Sequence, residues 1–189
     1  MSLGKNLAIV GGGIGGLTAA LALQQYGIST SVYETRPAEA FAATGAGHSN
    51  GAGIWVPANA MQVLARLGLA EKVLAAGYEL GEIELLDYLS GSLMRVELAE
   101  IKKKFAYSIV AIKRSQLHKI LLDALQERRS KAEAELFFGY RCRAVEMVDD
   151  RVVVSFLEQE KISADYVVGA DGLHSSIRQC IFPKVQPNY

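Results

Sequence analysis

The sequence has little of what would assign it to several common classes. Only two cysteines occur, Cys142 and Cys180, far apart and without a CxxC spacing or a nearby histidine pair. That excludes a disulfide framework and a cysteine-based zinc site, and both thiols are expected to be reduced core residues. Charge of one sign is equally scarce: 20 basic residues cancel 20 acidic ones, and the longest like-charged run is Lys102-Lys103-Lys104. This balance gives no electrostatic footprint for nucleic acid or an anionic membrane, and the lysine triplet is expected as a solvated loop or strand edge. No apolar stretch approaches the roughly 18 residues of a membrane span, and the first residues lack the basic start and long apolar region of a secretory signal. A cytoplasmic protein with no nucleic-acid or membrane partner is the expectation. Internal repeats and low-complexity segments are absent too.

What is present is apolar and periodic. Half of the 189 residues (50%) are hydrophobic, enough for one or two domains with a sizeable core. Leu7 to Val10 reads as a short buried strand; Leu17, Ala20, Leu21 and Leu23 then give a helical face that closes near Gly27, and Ser29 to Tyr33 reads as the next strand. Such a strand-helix-strand unit has the length of a parallel crossover. Residues 35–53 read as an Ala- and Gly-rich loop, followed by a helix in "PANAMQVLARLGL" with Pro57 in its first turn. "GEIELLDY" and "SLMRVEL" read as two strands joined by a Ser-Gly turn, "AYSIVAI" as another, and "SQLHKILLDALQERR" as a helix with Ser115 as candidate N-cap. From residue 134 the pattern alternates, with turns at Asp149-Asp150 and near Glu158-Gln159. That predicts an antiparallel three-stranded meander whose last strand ends at Asp171-Gly172.

Between the first strand and first helix, five glycines fall within six positions. Gly11, Gly13 and Gly16 carry the G-x-G-x-x-G spacing: the first allows the tight turn, the second lets a pyrophosphate approach the backbone, and the third lets helix and strand pack closely. The helix that opens there aims unpaired N–H groups and a positive dipole end at the phosphates. Glu34, 21 residues beyond Gly13 at the end of the second strand, suits an acid that accepts hydrogen bonds from an adenosine ribose and disfavours a 2′-phosphate. The spacing alone also fits a glycine-rich turn with no ligand. With strand, helix, second strand and acid in register it points to a dinucleotide, either NAD or FAD, since both share the adenosine diphosphate half.

"VVGADGLHSSIR" at 167–178 resembles the D-G-x-x-S-x-x-R signature of the p-hydroxybenzoate hydroxylase-like family of flavoprotein monooxygenases, matching at Asp171, Gly172, Ser175 and Arg178. "IVAIKRSQLHKILLDAL" is similar to the family's strand, arginine and helix, with Arg114 as the arginine, and "GAGIWVPANAMQVLARLGL" looks like its stretch after the second strand. The resemblance implies an α/β fold: a Rossmann-like FAD-binding domain of glutathione reductase type with a β-meander and part of a substrate-domain sheet. It implies an FAD-binding domain over 1–80 and 105–182, partial substrate-domain strands over 81–104, and a C-terminal tail at 183–189.

By resemblance, Gly11, Gly13, Ile14, Gly15 and Gly16 hold the FAD pyrophosphate, Glu34 the ribose, and Thr35 and Arg36 lie beside the adenosine. Gly51 is placed over the flavin, Arg114 near the phosphates or ribitol, and Asp171-Gly172 where the family's D-G pair helps hold FAD and bears on NAD(P)H use. For Asp171 an ordinary turn, and for Arg178 an ion pair or helix cap, are the structural alternatives; His118 and His174 read as exposed histidines without a catalytic role. No nucleophile or metal site is visible. The implied activity is NAD(P)H-dependent hydroxylation of a small aromatic or similar substrate by FAD and oxygen. The family's third flavin motif and most of its substrate sheet lie beyond the end of the chain. Weak FAD binding, poorly coupled NAD(P)H oxidation and self-association through apolar surface are therefore expected of the chain alone. Another flavin oxidoreductase, such as a reductase, halogenase or epoxidase, and a non-catalytic nucleotide-binding module are the alternatives.

Overall fold

The computed structural model describes residues 6–39, 52–127 and 132–185. In chain order the elements are β1 (Leu7–Val10), α1 (Ile14–Gln25), β2 (Thr30–Glu34), β3 (Gly53–Val56), α2 (Ala58–Arg66), α3 (Ala70–Ala76), β4 (Tyr78–Glu79), β5 (Glu82–Asp87), β6 (Gly91–Glu97) and α4 (Ala99–Phe105). They continue with β7 (Val110–Lys113), α5 (Arg114–Glu127), β8 (Ala134–Phe138), β9 (Arg141–Val148), β10 (Arg151–Leu157), β11 (Ile162–Ala164), β12 (Tyr166–Gly169) and α6 (Ser176–Ile181). The chain divides into two compact units, one of Met1–His48 with Leu121–Tyr189 and one of Ser49–Ile120.

The first unit is built on a four-stranded parallel sheet in the order β12-β1-β2-β8. Alternation along the strands sends Ile9 and Val32 to one face, while Ala8, Val10 and Tyr33 turn to the other. On that second face lies the antiparallel meander β11-β10-β9, whose Cys142, Val154, Phe156 and Ala164 join Ala8, Val10 and Tyr33 in one core. Tyr33, Phe137, Tyr140 and Phe156 pack there ring against ring, with centroids 5.0–5.9 Å apart. Offset and edge-on pairs of this kind add to the area they bury. Burial also raises the Tyr33 phenol above its ordinary pKa, so the ring stays neutral at physiological pH.

The alternating stretch after residue 134 is therefore five strands rather than three, and only the middle three form the meander. Two chain breaks account for the difference. Gly139, at a φ of +79°, ends β8, where Gly139 and Tyr140 donate N–H bonds to the carbonyls of Arg36 and Glu34 at 3.2 and 2.9 Å. Asp165 separates β11 from β12: its N–H donates to the Asn6 carbonyl at 2.9 Å, while its carboxylate accepts from Asn6 N–H at 2.6 Å and from Arg151 at 3.1 Å. The chain is pinned where it leaves the meander for the parallel sheet. The expected turns are present, with Asp149 and Glu158 at φ of 52° and 62°.

The second unit holds the antiparallel sheet β3-β7-β4, the hairpin β5-β6 and helices α2, α3 and α4. Met61, Leu64, Val73, Leu98, Val110 and Ile112 are buried in it. Pro57 stands at the N-cap of α2 rather than inside its first turn, and Ser115 lies within α5, which starts at Arg114. The lysine triplet is solvated as expected but belongs to helix α4, not to a loop or strand edge. Lys102 Nζ meets Glu79 at 2.6 Å and holds that carboxyl below its ordinary pKa.

Candidate cofactor-binding site

The parallel sheet sets the site. Because β1 lies between β2 and β12, the turns that leave the C-terminal ends of β1 and β12 emerge side by side. The glycine turn comes after β1, the D-G turn after β12, and Glu34 closes β2.

Each glycine of the first turn has a distinct reason to be bare. Gly11 has a φ of +109°, and a Cβ on it would run into the Ala170 carbonyl oxygen and come within 2.9 Å of Asp171 N. A Cβ on Gly16 would collide with the Gly11 carbonyl oxygen and stand 3.1 Å from its carbon. These two glycines are required by the protein's own packing. Gly13 and Gly15 differ: nothing stands within 4 Å of a Cβ on either. The turn is thus tight underneath and open above.

Helix α1 opens without a side-chain cap at Gly13, and its first helical bond runs from Leu17 N–H to the Gly13 carbonyl at 3.0 Å. The N–H groups of Ile14, Gly15 and Gly16 are therefore left without intrahelical partners beside the open space. No acidic side chain stands in that first turn to compete for the positive end of the helix. Donors, dipole and a cradle that a side chain would fill together fit a diphosphate.

Glu34 is 7% exposed. Its Oε2 accepts the Gly12 N–H at 2.7 Å, and its Oε1 accepts the Arg36 N–H at 3.1 Å and Arg36 Nε at 2.7 Å. Thr35 is exposed beside it. The structure brings the acid and Arg36 to the glycine turn, and the contact of Glu34 with the turn itself is not legible in the spacing.

The D-G-x-x-S-x-x-R segment has an internal logic of its own. Asp171 Oδ2 accepts the N–H groups of Ser176 and Ile177 at 2.7 and 3.2 Å, and its Oδ1 accepts the Ser175 hydroxyl. Ser175 caps α6 by accepting Arg178 N–H at 2.9 Å, Gly172 takes a φ of +84°, and the Arg178 guanidinium donates to the Leu173 carbonyl at 2.6 Å. All four motif positions close one loop onto one helix start. Ser175, a serine directly before the turn that buries Ile177, carries a capping signal that can be read from the sequence.

Arg114 is exposed at the start of α5 in the second unit, with its N–H donating to the Ala52 carbonyl at 3.3 Å. Gly51 lies outside the described residues. His174 is exposed as expected, whereas His118 is buried on α5. Cys142 is buried and Cys180 exposed, so only one of the two thiols is a core residue. Burial pushes the Cys142 thiol up to about 11, which keeps it protonated. Among the described residues no group of three or more His, Cys, Asp and Glu could hold a metal ion, and no helix is long and apolar enough to cross a membrane.

This parallel crossover, with its bare phosphate turn and buried acid, defines a dinucleotide-binding α/β domain. Comparison with known proteins resolves which one. The FAD binding domain family matches residues 5–186, and the chain belongs to that family. A 3-amino-4-hydroxybenzoate 2-monooxygenase of Streptomyces platensis is 36% identical over 174 residues, covering 91% of this chain and 40% of that protein. The FAD-dependent urate hydroxylase of Klebsiella pneumoniae is 31% identical over 175 residues, covering 90% of this chain and 41% of that protein. Among solved structures, the Klebsiella pneumoniae HpxO complexed with FAD and uric acid superposes with a TM-score of 0.74 at 28% identity, covering 95% of this chain and 42% of that one. The chain therefore spans about two-fifths of the length of these relatives.

Proposed function

We propose that this chain is the cofactor-holding portion of an NAD(P)H-dependent FAD monooxygenase that hydroxylates a small aromatic or similar compound. The observation that carries the reading is the glycine turn: Gly13 and Gly15 face open space beside three unpartnered N–H groups, in a chain of the FAD-binding family. Relatives named for hydroxybenzoate, hydroxynicotinate and urate substrates support the substrate class.

In this reading the turn at 11–16 binds the diphosphate through the Ile14, Gly15 and Gly16 N–H groups. Glu34 receives the ribose hydroxyls, and Thr35 and Arg36 flank the adenosine. Asp171-Gly172, Gly51 and Arg114 serve the flavin side; Arg114→Ala should then weaken FAD more than NAD(P)H in parallel titrations. FAD when bound supplies the redox chemistry, carrying electrons from the nicotinamide and an oxygen atom to the substrate. The chain's residues bind, orient and exclude water around it. Residues 81–104 form part of the substrate-side sheet, with the remainder of 1–182 holding the cofactor. The apolar side chains exposed on the β5-β6 hairpin, Leu85, Leu86, Tyr88, Leu89, Leu93 and Met94, favour self-association in a cytoplasmic protein.

A visible spectrum of the purified chain titrated with FAD tests the binding. Shifted flavin bands and quenched fluorescence are expected; an unchanged flavin spectrum at high protein concentration would overturn the reading. NAD(P)H oxidation stimulated by a panel of phenols, with oxygenated product, tests the reaction class. Oxidation that no aromatic compound stimulates would favour a reductase of the same fold.

A further inference from the structure

We propose that Glu34 is a positioning residue of the glycine turn, a brace that fixes the Gly12 peptide before any ligand arrives and in addition to its proposed ribose contact. The brace stands on ligand-free geometry; only its consequence for affinity rests on the FAD reading.

β1 and β2 pair in parallel from Leu7 to Val10, and the pairing continues one step further through Gly11 N–H, which donates to the Tyr33 carbonyl at 2.8 Å. At Gly12 the backbone ladder has ended. The Glu34 carbonyl faces away from β1, on the β8 side of its strand, and takes Tyr140 N–H at 2.9 Å, so it offers Gly12 no acceptor. The Glu34 side chain supplies the acceptor instead, at 2.7 Å and in a buried setting, so that a carboxylate ties the turn to the end of β2. A buried N–H left without an acceptor there would carry a full desolvation cost.

That tie stands at the root of a run of glycines. Gly11, Gly12 and Gly13 are consecutive, and three glycines in a row lose more backbone freedom on ordering than any other tripeptide. The direction of the Gly12 peptide sets where the turn leaves the sheet, and hence where the donors of α1 point. Arg36 holds the opposite oxygen through its N–H and Nε, so the carboxylate is fixed from both ends. The set is built for a carboxylate and not for its amide: a glutamine has one acceptor oxygen, and if that faced Gly12 its NH₂ would face the two Arg36 donors.

Amide hydrogen exchange of the ligand-free chain, resolved by residue, tests this. In the unaltered protein the Gly12 amide should exchange at least 100-fold more slowly than that of Gly13, which has no acceptor among the described residues. Equal exchange at the two would overturn the proposal without any variant. In Glu34→Gln and Glu34→Ala the Gly12 amide should exchange at least tenfold faster, while Ile9 and Val10 in β1 keep their protection and report an intact sheet. A Gly12 amide that stays slow in both variants, whatever happens to FAD affinity, would show that Glu34 serves ligand only. Loss of Gly12 protection in a chain that binds no FAD would leave the brace standing and remove the cofactor reading instead.

Discussion

Two turns leave adjacent parallel strands at the same edge of the sheet, and they treat their hydrogen bonds in opposite ways. The D-G turn after β12 consumes its own donors: Asp171 takes two N–H groups and a hydroxyl, Ser175 another N–H, and Arg178 returns to Leu173. The glycine turn after β1 leaves Ile14, Gly15 and Gly16 donors open beside unfilled space. Both segments carry a recognisable signature. The glycine turn offers helix-start donors that a ligand could use directly, whereas the Asp171 carboxylate is already engaged within its own loop.

The contrast can be broken most forcefully from beneath. Gly11→Ala or Gly16→Ala should cost about 3 kcal/mol or more in denaturant unfolding, because each Cβ would meet backbone rather than a movable side chain. Asp171→Ala comes next, at about 2–3 kcal/mol for the loss of a charged acceptor shared by three donors in a half-buried loop. Ser175→Ala should cost about 1 kcal/mol, the usual cost of a lost helix cap. The smallest effect on stability belongs to Gly13→Ala, within about 1 kcal/mol, since its φ of −72° suits any residue and its Cβ meets nothing. That same variant should lower FAD affinity tenfold or more. A Gly13→Ala protein that binds FAD like the parent would erase the distinction between the two turns.

How much of this was legible in the sequence depends on the range of the signal. The crossover β1-α1-β2 was readable because its cues are local: an apolar run, bare glycines, a 3.6-residue face and a β-branched strand ending in an acid. The division of residues 134–169 among two sheets was not. Period-2 alternation continues across Asp165, and only its bonds to Asn6, 159 residues away, show that the strand has changed sheets. Gly139 left a turn signal, but its partner Arg36 lies about a hundred residues earlier. The site obeyed the same rule. Spacing placed Glu34 beside the glycine turn, yet could not show that its carboxylate already serves the Gly12 amide. The exposed Cys180 and the buried His118 were misjudged because their surroundings are tertiary.

The central place of β1 in its sheet also fixes when the site can exist. Its neighbour β12 is joined to it by Asn6 and Asp165, 159 residues apart, and the backbone that seats Gly11 comes from Ala170 and Asp171. On a ribosome adding about 5–20 residues per second, roughly ten to thirty seconds separate the emergence of the first strand from that of its last neighbour. During that interval the glycine turn has been made but has no floor. Nucleotide capture is thus a late event in the life of the nascent chain, and until then the exposed glycines and unpaired strand edge depend on chaperones or on speed to escape misassociation.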